Sequence, residues 1–225
     1  MKNKMNTILP FEDLEMPLQI QVDNVSQEIA LKKGDIPFLS NEIMHYLYVV
    51  KKGKIKSYQL NIDTGREQTL YIYRENTMFD TATLLDGEEH DVGYEVLDDT
   101  ILIKFPMEFV RNLLYTSPEF SRKLHRYIAR QMHHLEEMLT DISLYSTSER
   151  LIKLIIQDFQ PGNIFKFNIL DGLSHVETAN LLGTVRHIVE RHLSELRNEQ
   201  IIDIKNRKIQ ILKANTLLAK INLLY

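Results

Sequence analysis

Four residues with side chains suited to reading nucleic-acid bases lie in one short segment of the 225-residue sequence: Arg186, His187, Glu190 and Arg191. The neighbouring apolar residues Val189, Leu193 and Leu196 recur at i, i+4 and i+7, which predicts a helix with one buried face. The four polar residues then lie toward the N-terminal end of this helix, away from the apolar stripe. An arginine can hold O6 and N7 of guanine, a glutamate can accept a hydrogen bond from N4 of cytosine, and a histidine can reach a base edge or a phosphate. This chemistry favours contact with DNA.

A preceding helix and a glycine turn would complete a helix-turn-helix motif. Ser174 and Glu177 have the spacing of a capping box, which predicts that a helix begins after this serine. Gly183 follows where that helix must stop, because glycine adopts the positive φ that other residues resist. In a helix-turn-helix, the N-terminal end of the second helix enters the major groove. The alternative is a plain helical hairpin that does not bind DNA.

A β-hairpin with a basic tip is predicted after the second helix. The segment IIDIKNRKIQILK, residues 201–213, contains two short alternating strands on either side of a polar tip. Basic side chains at such a tip can lie along DNA phosphates and add affinity without sequence information. The hairpin, the glycine turn, the cap and the basic helix end together favour DNA binding. The predicted DNA-binding residues are Ser174, Thr184, Arg186, His187, Glu190, Arg191, Lys205, Arg207 and Lys208.

The distribution of charge permits DNA binding despite a formal net charge of −4. Residues 146–225 carry 11 lysines and arginines against 8 acidic residues, whereas residues 1–145 carry 16 against 23. The approach of a polyanion depends on the local sign of the charge more than on the total. We therefore expect double-stranded DNA to bind through the C-terminal third of the chain.

The composition excludes several kinds of site. With no cysteine, the chain has no disulfide, no thiolate zinc site, no cysteine-bound iron–sulfur cluster and no cysteine nucleophile. Its apolar runs are too short to span a bilayer. The first residues, MKNKMNTILPFEDLEMPL, meet acidic residues and prolines before an apolar core forms, unlike a secretory signal. We expect a cytoplasmic protein that does not bind membranes.

Residues 27–106 have the pattern of an antiparallel β domain. Short segments rich in Tyr, Val, Ile and Leu are separated by turns: HYLYVV, KIKSYQL, QTLYIY, GYEVL and TILIKF. We predict an α+β fold that begins with an antiparallel β-roll, a cupin-like double-stranded β-helix. The mouth of such a barrel is a common small-molecule site, although a purely scaffolding domain would show the same pattern.

A long helix is predicted after the β domain. Ser117 and Pro118 are well placed to begin it, and the apolar period changes there to about 3.5 residues. One polar and five apolar residues then recur at alternating steps of four and three: Leu124, Ile128, Gln131, Leu135, Met138 and Ile142. This heptad spacing predicts a homodimer interface, and packing on the protomer's own β domain is the alternative. Ser146 and Glu149 have capping-box spacing and predict a new helix.

The order of these elements resembles the CRP/FNR family of bacterial transcription regulators, which are related to the cyclic AMP receptor protein. The resemblance covers nearly the whole chain and is most specific from Ser146 to Lys213, in TSERLIKLI and LSHVETANLLGTVRHIVERHLSELRNEQII. It implies a β-roll sensor domain at 1–115, a dimerisation helix at 116–145 and a winged helix-turn-helix at 146–225. It also implies a homodimer on an inverted-repeat operator, with RNA polymerase as a partner if the protein is an activator.

In this family the helix after the glycine turn reads the bases, and Arg186, His187 and Arg191 occupy the matching positions. The two arginines resemble basic recognition positions of known members. His187 stands where a glutamate is common, so the resemblance does not give the operator sequence. Val185 stands where a serine cap is usual, which leaves Thr184 as the predicted cap of this helix.

The effector pocket departs from the family's cyclic-nucleotide pattern. Members that bind cyclic nucleotides carry a cassette resembling F-G-E-x-A, followed by an arginine and a small residue. Here Asp80 takes the glycine position, Thr81 the glutamate position, and His90 with Asp91 the arginine-small position. Carboxylates without an arginine repel a phosphate, so we expect no cyclic AMP binding and a different small-molecule effector, if one exists. The predicted pocket residues are Phe79, Asp80, Thr81, His90 and Asp91.

Neither a cofactor nor an enzymatic activity is expected. The family includes haem sensors with histidine ligands, and His45 and His90 are the candidates here, but a lone histidine in a β domain is more often structural. The strongest enzyme alternative is a cupin-like metal enzyme, for which the sequence lacks an H-x-H motif. It also lacks a G-x-S-x-G elbow and a P-loop. In a third interpretation the β-roll receives a protein partner and no small molecule.

Overall fold

The structure is a computed structural model that describes Phe11 and residues 14–38, 42–159, 170–205 and 208–221. These residues form two compact units. Those that fall within Met1–Gln59 and Leu70–Leu135 form the N-terminal unit, and those that fall within Leu60–Thr69 and Glu136–Tyr225 form the C-terminal unit. No helix among the described residues is long and apolar enough to cross a membrane.

The first part of the chain folds into antiparallel sheets flanked by helices. In chain order the elements are α1 (Met16–Val25), β1 (Gln27–Leu31), β2 (Tyr46–Lys52), β3 (Ile55–Asn61), β4 (Arg66–Tyr73), β5 (Met78–Phe79), α2 (Thr81–Asp86), β6 (Gly93–Val96), β7 (Thr100–Pro106) and α3 (Met107–Thr116). One sheet has the strand order β1-β7-β2-β5 and the other has the order β4-β3-β6. The predicted antiparallel β domain is confirmed, and each of the five predicted strand segments lies on an observed strand.

Strand β2 separates two apolar cores, which explains its uninterrupted apolar sequence. Leu47 and Val49 pack with the flanking helices, while Tyr48 and Val50 point to the opposite core. Successive side chains of a strand point to opposite faces, so a strand covered on both faces must be apolar throughout. The core inside the sheets is largely aromatic, with the rings of Tyr48 and Phe79 stacked at a centroid distance of 5.4 Å.

The predicted long helix is α4 (Pro118–Leu144). Proline occupies its first position, where the missing N–H costs nothing, and the Phe120 N–H donates to the Ser117 hydroxyl at 3.3 Å. The two halves of α4 differ in burial. Phe120, Leu124 and Tyr127 are buried in the core of the N-terminal unit, whereas the later apolar residues Met132, Leu135, Leu139 and Ile142 are exposed.

This difference corrects one member of the predicted heptad seam. Leu124 is 0% exposed and packs inside its own protomer, so it has no surface to offer a second chain. The first turns of α4 follow the alternative of packing on the protomer's β domain. Met132 and Leu139, which the sequence pattern did not include, are exposed beside Leu135 and Ile142.

The C-terminal unit contains the remaining helices and a small hairpin. They are α5 (Thr147–Phe159), α6 (His175–Leu182), α7 (Arg186–Asn198), β8 (Ile202–Lys205), β9 (Lys208–Ile211) and α8 (Ala214–Ala219). The predicted new helix is confirmed as α5: the Ser146 N–H donates to the Glu149 carboxylate at 2.8 Å, and the Glu149 N–H donates to the Ser146 hydroxyl at 3.3 Å. Apolar side chains from each of these helices meet in one core. This core fixes α6 and α7 side by side.

Candidate nucleic-acid interface and effector cavity

Helix α6 begins and ends as its sequence predicts. The Glu177 N–H donates to the Ser174 hydroxyl at 3.1 Å, and the Glu177 carboxylate accepts from the Ser174 N–H, which completes the capping box. At the other end Gly183 adopts φ +66°, and the Thr184 N–H donates to the Ala179 carbonyl at 2.9 Å. A residue with a side chain would be strained at this φ. The glycine therefore turns the chain into α7.

Helix α7 lacks the predicted cap. Val185 is the N-cap residue and has no side-chain capping bond, while Thr184 lies one residue outside the helix. The prediction that Thr184 caps α7 is wrong, because the extended conformation that precedes a helix is adopted one residue later than expected. The first-turn N–H groups of α7 receive no side-chain acceptor from the N-cap. Among the described residues, the Ile188 N–H donates to the Val185 carbonyl at 3.0 Å, so the N–H groups of Arg186 and His187 are the ones that can face an external anion such as a DNA phosphate.

The base-reading candidates lie on the exposed side of α7. Val189, Leu193 and Leu196 are buried, as predicted, and belong to the core of the C-terminal unit. Arg186 is the first residue of the helix, and both it and His187 are exposed. Arg191 and Glu190 follow on the next turn, and Arg191 is exposed as well. The structure therefore places the four side chains toward the N-terminal end of one helix.

Glu190 connects this helix to the start of α6. Its Oε1 accepts from Arg186 Nε at 2.7 Å and lies 3.2 Å from His175 Nδ1. Hydrogen bonds from Arg186 and then from His175 hold the pKa of the Glu190 carboxyl below its usual range. His175 is not one of the residues predicted from the sequence to bind DNA. Its position directly after the Ser174 cap was the available signal, because that position begins α6 beside α7.

Arg191 is held more loosely than Arg186. Its Nε lies 3.8 Å from Glu195 Oε1, beyond ordinary hydrogen-bond distance, and both side chains are exposed. Exposed ion pairs of this kind contribute little to stability and exchange readily for other partners. Arg191 can therefore leave Glu195 for a ligand with little loss.

The basic hairpin is formed by β8 and β9. Ile202 pairs with Ile211, and Lys205 pairs with Lys208 next to the tip. Both lysines are largely exposed: Lys205 Nζ lies 3.1 Å from Asp203 Oδ2, and Lys208 Nζ lies 3.0 Å from Asp171 Oδ2. Arg207, a predicted DNA-binding residue at this tip, lies outside the described residues.

A cavity of about 400 Å³ lies in the N-terminal unit. Three of the predicted pocket residues, Asp80, Thr81 and His90, line it. Phe79 is buried in the aromatic core, and Asp91 is exposed, and neither is among the residues that line the cavity. The tyrosines and α4 residues that make up much of the wall did not follow from the sequence: Tyr71, Tyr73, Tyr94, Ile128, Gln131, Met132 and Leu135.

The lining does not suit a cyclic phosphate. None of the described residues around the cavity is a lysine or an arginine, and the Asp80 carboxylate is buried at its wall. A phosphate needs donors or positive charge, and a buried carboxylate repels it. Throughout the described ranges, no group of three or more His, Asp or Glu side chains could hold a metal ion. His45 and His90 are among the residues searched, and neither belongs to such a group.

A β-roll followed by a long helix and a winged helix-turn-helix defines a class of protein, the DNA-binding transcription regulators with an N-terminal sensor domain. Comparison with known families agrees with this class. Residues 28–117 match the cyclic nucleotide-binding domain, and residues 149–220 match the Crp-like helix-turn-helix domain. The chain belongs to the CRP/FNR family and is a DNA-binding transcription regulator of that type.

Individual relatives are similar over most of their length. The chain is 25% identical to the global nitrogen regulator of Synechococcus elongatus over 217 residues, which cover 93% of this chain and 94% of the relative. It is 23% identical to the transcriptional activator Anr of Pseudomonas protegens, over 88% of this chain and 84% of that one. The solved structure of FixK2 from Bradyrhizobium japonicum has the same fold, with a TM-score of 0.74 at 21% identity, covering 87% of this chain and 96% of that one.

Proposed function

We propose that the protein is a homodimer that reads an inverted-repeat operator with α7 and contacts the flanking phosphates with the β8–β9 hairpin. The observation that carries this proposal is the division of α7 into two faces. The face bearing Val189, Leu193 and Leu196 is buried, while Arg186 and Arg191 are exposed near the N-terminal end. This arrangement lets α7 enter the major groove without disturbing the core.

The two arginines are proposed as the main base contacts. Each guanidinium can make a bidentate contact with guanine, worth about 1–3 kcal/mol of discrimination. In the free protein Arg186 donates to Glu190, and Glu190 is itself proposed to accept from cytosine N4. His187 is proposed to contact an adjacent base edge or phosphate.

Phosphate contacts are proposed on both sides of α7. Ser174 lies at the capped start of α6, and Thr184 lies in the turn before α7, the helix whose N-cap residue makes no side-chain capping bond. The exposed amines of Lys205 and Lys208, together with Arg207 at the tip, are proposed to lie along the neighbouring backbone. These groups supply affinity and the salt dependence of binding, and α7 supplies specificity.

The dimer is proposed to form along the second half of α4. Met132, Leu135, Leu139 and Ile142 are large, apolar and exposed, and they recur at steps of three, four and three, which is the spacing of a two-helix seam. Ile128, Gln131 and Met138, the half-buried members of the predicted seam, border this stripe. A two-fold axis through the helices would present two copies of α7 to half-sites about one helical turn apart.

The proposal also covers the domain boundaries, the cellular location, the effector and the protein partners. We divide the chain into a sensor domain at 1–115, a dimerisation helix at 116–145 and a DNA-binding domain at 146–225, in the cytoplasm. An effector in the β-roll cavity is proposed to shift the dimer toward its DNA-competent arrangement, which requires a higher affinity for that arrangement. If the protein is an activator, RNA polymerase is its further partner. A protein partner for the β-roll is the alternative to a small-molecule effector.

The proposal is tested by capturing genomic fragments on purified protein at two salt concentrations. We expect the wild type to enrich an inverted repeat, and the Arg186→Ala/Arg191→Ala double variant to lose that enrichment while keeping its oligomeric state. The matched control is Arg122→Ala/Arg126→Ala, which removes two exposed arginines four positions apart on α4. An unchanged footprint for the α7 variant would refute the base-reading roles.

A further inference from the structure

The cavity of the N-terminal unit combines an apolar wall with a single deeply buried carboxylate. Its wall includes Tyr71, Leu85 and Val92 from the β-roll side and Met132 from α4. The volume of about 400 Å³ is that of a site for a small organic molecule. Asp80 lies in this wall, and its side chain is only 1% exposed.

One oxygen of Asp80 has no hydrogen-bond partner among the described residues. Oδ1 accepts from the Thr83 hydroxyl at 2.9 Å, while Oδ2 is buried and receives no donor. The backbone of Asp80 has φ +59°, a conformation that is uncommon for a residue with a side chain, although aspartate tolerates it better than most. A buried acceptor without a donor is unfavourable, and such groups are normally satisfied in the functional state of a protein.

None of the described ionisable groups that line the cavity is a fixed cation that would neutralise Asp80. His90 Nδ1 lies 3.6 Å from Asp80 Oδ1, too far for a hydrogen bond, and its ring is half exposed. Asp86 is the other carboxylate of the lining, and it adds negative potential. Burial is the main reason why the pKa values of the Tyr73 and Tyr94 hydroxyls are raised, and both phenols stay neutral at physiological pH. The described lining thus offers carboxylates and no fixed cation.

We propose that this cavity binds a small organic cation, an ammonium or amidinium group on an aromatic or aliphatic body, and that the cationic N–H donates to Asp80 Oδ2. The charged group satisfies the orphaned oxygen, and the body packs against the tyrosine rings and apolar side chains of the wall. A phosphate or carboxylate ligand would instead meet Asp80 and Asp86 with a charge of the same sign.

The site connects the ligand to α4. The Thr81 hydroxyl, adjacent in sequence to Asp80, donates to Gln131 Oε1 at 2.7 Å, and the Gln131 amide donates to the Tyr127 hydroxyl at 3.3 Å. A ligand at Asp80 therefore touches residues that are hydrogen-bonded to the proposed dimerisation helix. Any regulatory effect of the cation rests on the proposed function, whereas its binding does not.

Affinity for such a cation should rise with pH. Burial raises the pKa of the Asp80 carboxyl, with the Thr83 hydrogen bond and His90 acting in the opposite direction. Binding needs the ionised carboxylate, so it strengthens as pH rises through this raised pKa. An aliphatic ammonium ligand keeps its charge across this range, since amines of the lysine type titrate near pH 10.4.

The test is calorimetric titration of the full chain with a panel of small cations: 2-phenylethylamine, tryptamine and benzamidine. Phenylacetate, phenylacetamide and cyclic AMP are titrated in parallel as anionic and neutral comparisons. We expect saturable binding of at least one cation, and an affinity for it at least tenfold higher than for phenylacetate or phenylacetamide. Asp80→Asn should lower that affinity at least tenfold. Asp91→Asn, at an exposed neighbour outside the lining, should leave the affinity unchanged.

The wild type alone supplies a second readout if Asp80→Asn does not fold. The affinity for 2-phenylethylamine should not fall as the pH is raised from 5 to 8, and a decrease would overturn the proposal, as would failure of the whole cation panel or equal binding of phenylacetamide. Operator capture is measured on the same sample. Loss of cation binding with intact operator capture refutes this inference alone, and cation binding without operator capture refutes the proposed function alone.

Discussion

Glu190 shows how one side chain organises the surface of α7. By accepting from Arg186 and approaching His175, it holds three side chains of α6 and α7 in one cluster. Arg186 lowers the pKa of this carboxyl most and His175 next, so Glu190 remains ionised throughout the neutral range and down to mildly acidic pH. Because only Arg186 Nε donates to Glu190, the two terminal nitrogens of the guanidinium can make the proposed contact with guanine while this bond is kept.

The capping box of α6 should contribute measurably to the free energy of unfolding. Ser174→Ala removes the acceptor of the Glu177 N–H and should lower the free energy of unfolding by about 1 kcal/mol. Ser194→Ala, at an exposed position within α7, is the matched control and should change it by no more than about 0.5 kcal/mol. Denaturant unfolding monitored by circular dichroism provides the comparison. Equal effects of the two substitutions would mean that the cap does not stabilise α6.

Local signals were sufficient to predict α6 and α7, and insufficient for the cap between them. The contacts that begin and end α6 join residues three to five positions apart, as at Ser174, Glu177 and Gly183. Such local contacts can be predicted from the sequence. The cap of α7 depends on which residue takes the extended conformation after the glycine. Two successive residues, Thr184 and Val185, both permit that conformation, and in the structure Val185 is the N-cap residue.

Among the elements, α4 changes its environment along its length. Its first turns are buried in the N-terminal core, where the Tyr127 hydroxyl accepts from the Met78 N–H at 2.8 Å and donates to the Met78 carbonyl at 2.5 Å. Its later turns expose Met132, Leu135 and Leu139. A heptad pattern states that apolar residues share a face, but not what covers that face. For this reason Leu124 was assigned to the wrong surface.

The exposed stripe of α4 can be tested by one substitution. Leu139 is 66% exposed, so Leu139→Glu should not unfold the protomer, but it places a charge in the proposed seam and should shift the chain from dimer to monomer. Thr140→Glu introduces the same charge at the next exposed position of the helix and should leave the dimer intact. Sedimentation velocity at micromolar concentration distinguishes the two. A dimer that persists in Leu139→Glu would place the interface elsewhere.

For the approach of DNA to the whole molecule, the distribution of charge between the two parts of the chain matters more than the net charge. The net charge of −4 combines an acidic N-terminal part with a basic C-terminal part. The acidic N-terminal part repels DNA and the basic C-terminal part attracts it, because charges interact at distances within the screening length. This effect follows from the sequence alone, since counting charges needs no coordinates.

Phosphate contacts at the hairpin should appear in the salt dependence of operator binding. Lys205→Ala/Lys208→Ala should weaken binding to all sequences about equally and reduce the slope of log K against log salt by about 2. Lys32→Ala/Lys33→Ala removes the same charge from an exposed turn of the N-terminal unit and should leave the slope unchanged. Fluorescence anisotropy with labelled operator at several salt concentrations gives both slopes. A similar reduction in both variants would indicate an effect of total charge only.

The composition of the cavity was the part of the molecule that the sequence predicted least well. Three lining residues could be predicted because they lie in or near the segment that matches the cyclic-nucleotide cassette: Asp80, Thr81 and His90. The others come from strands and a helix that are distant in the chain, as do Tyr71, Tyr94 and Gln131. Their convergence depends on the pairing of β3 with β6 and on the packing of α4, neither of which local periodicity specifies. The unpartnered oxygen of Asp80 also follows only from three-dimensional packing.

The aromatic wall of the cavity also makes the protein its own optical probe. The chain has ten tyrosines and no tryptophan, so its intrinsic ultraviolet emission comes from tyrosine alone. Tyr71, Tyr73 and Tyr94 line the cavity, and a molecule seated there lies against three of these ten emitters. Occupancy can therefore be followed by the quenching or enhancement of native fluorescence in unlabelled protein, including in mixtures with DNA, without introducing a dye or a mutation.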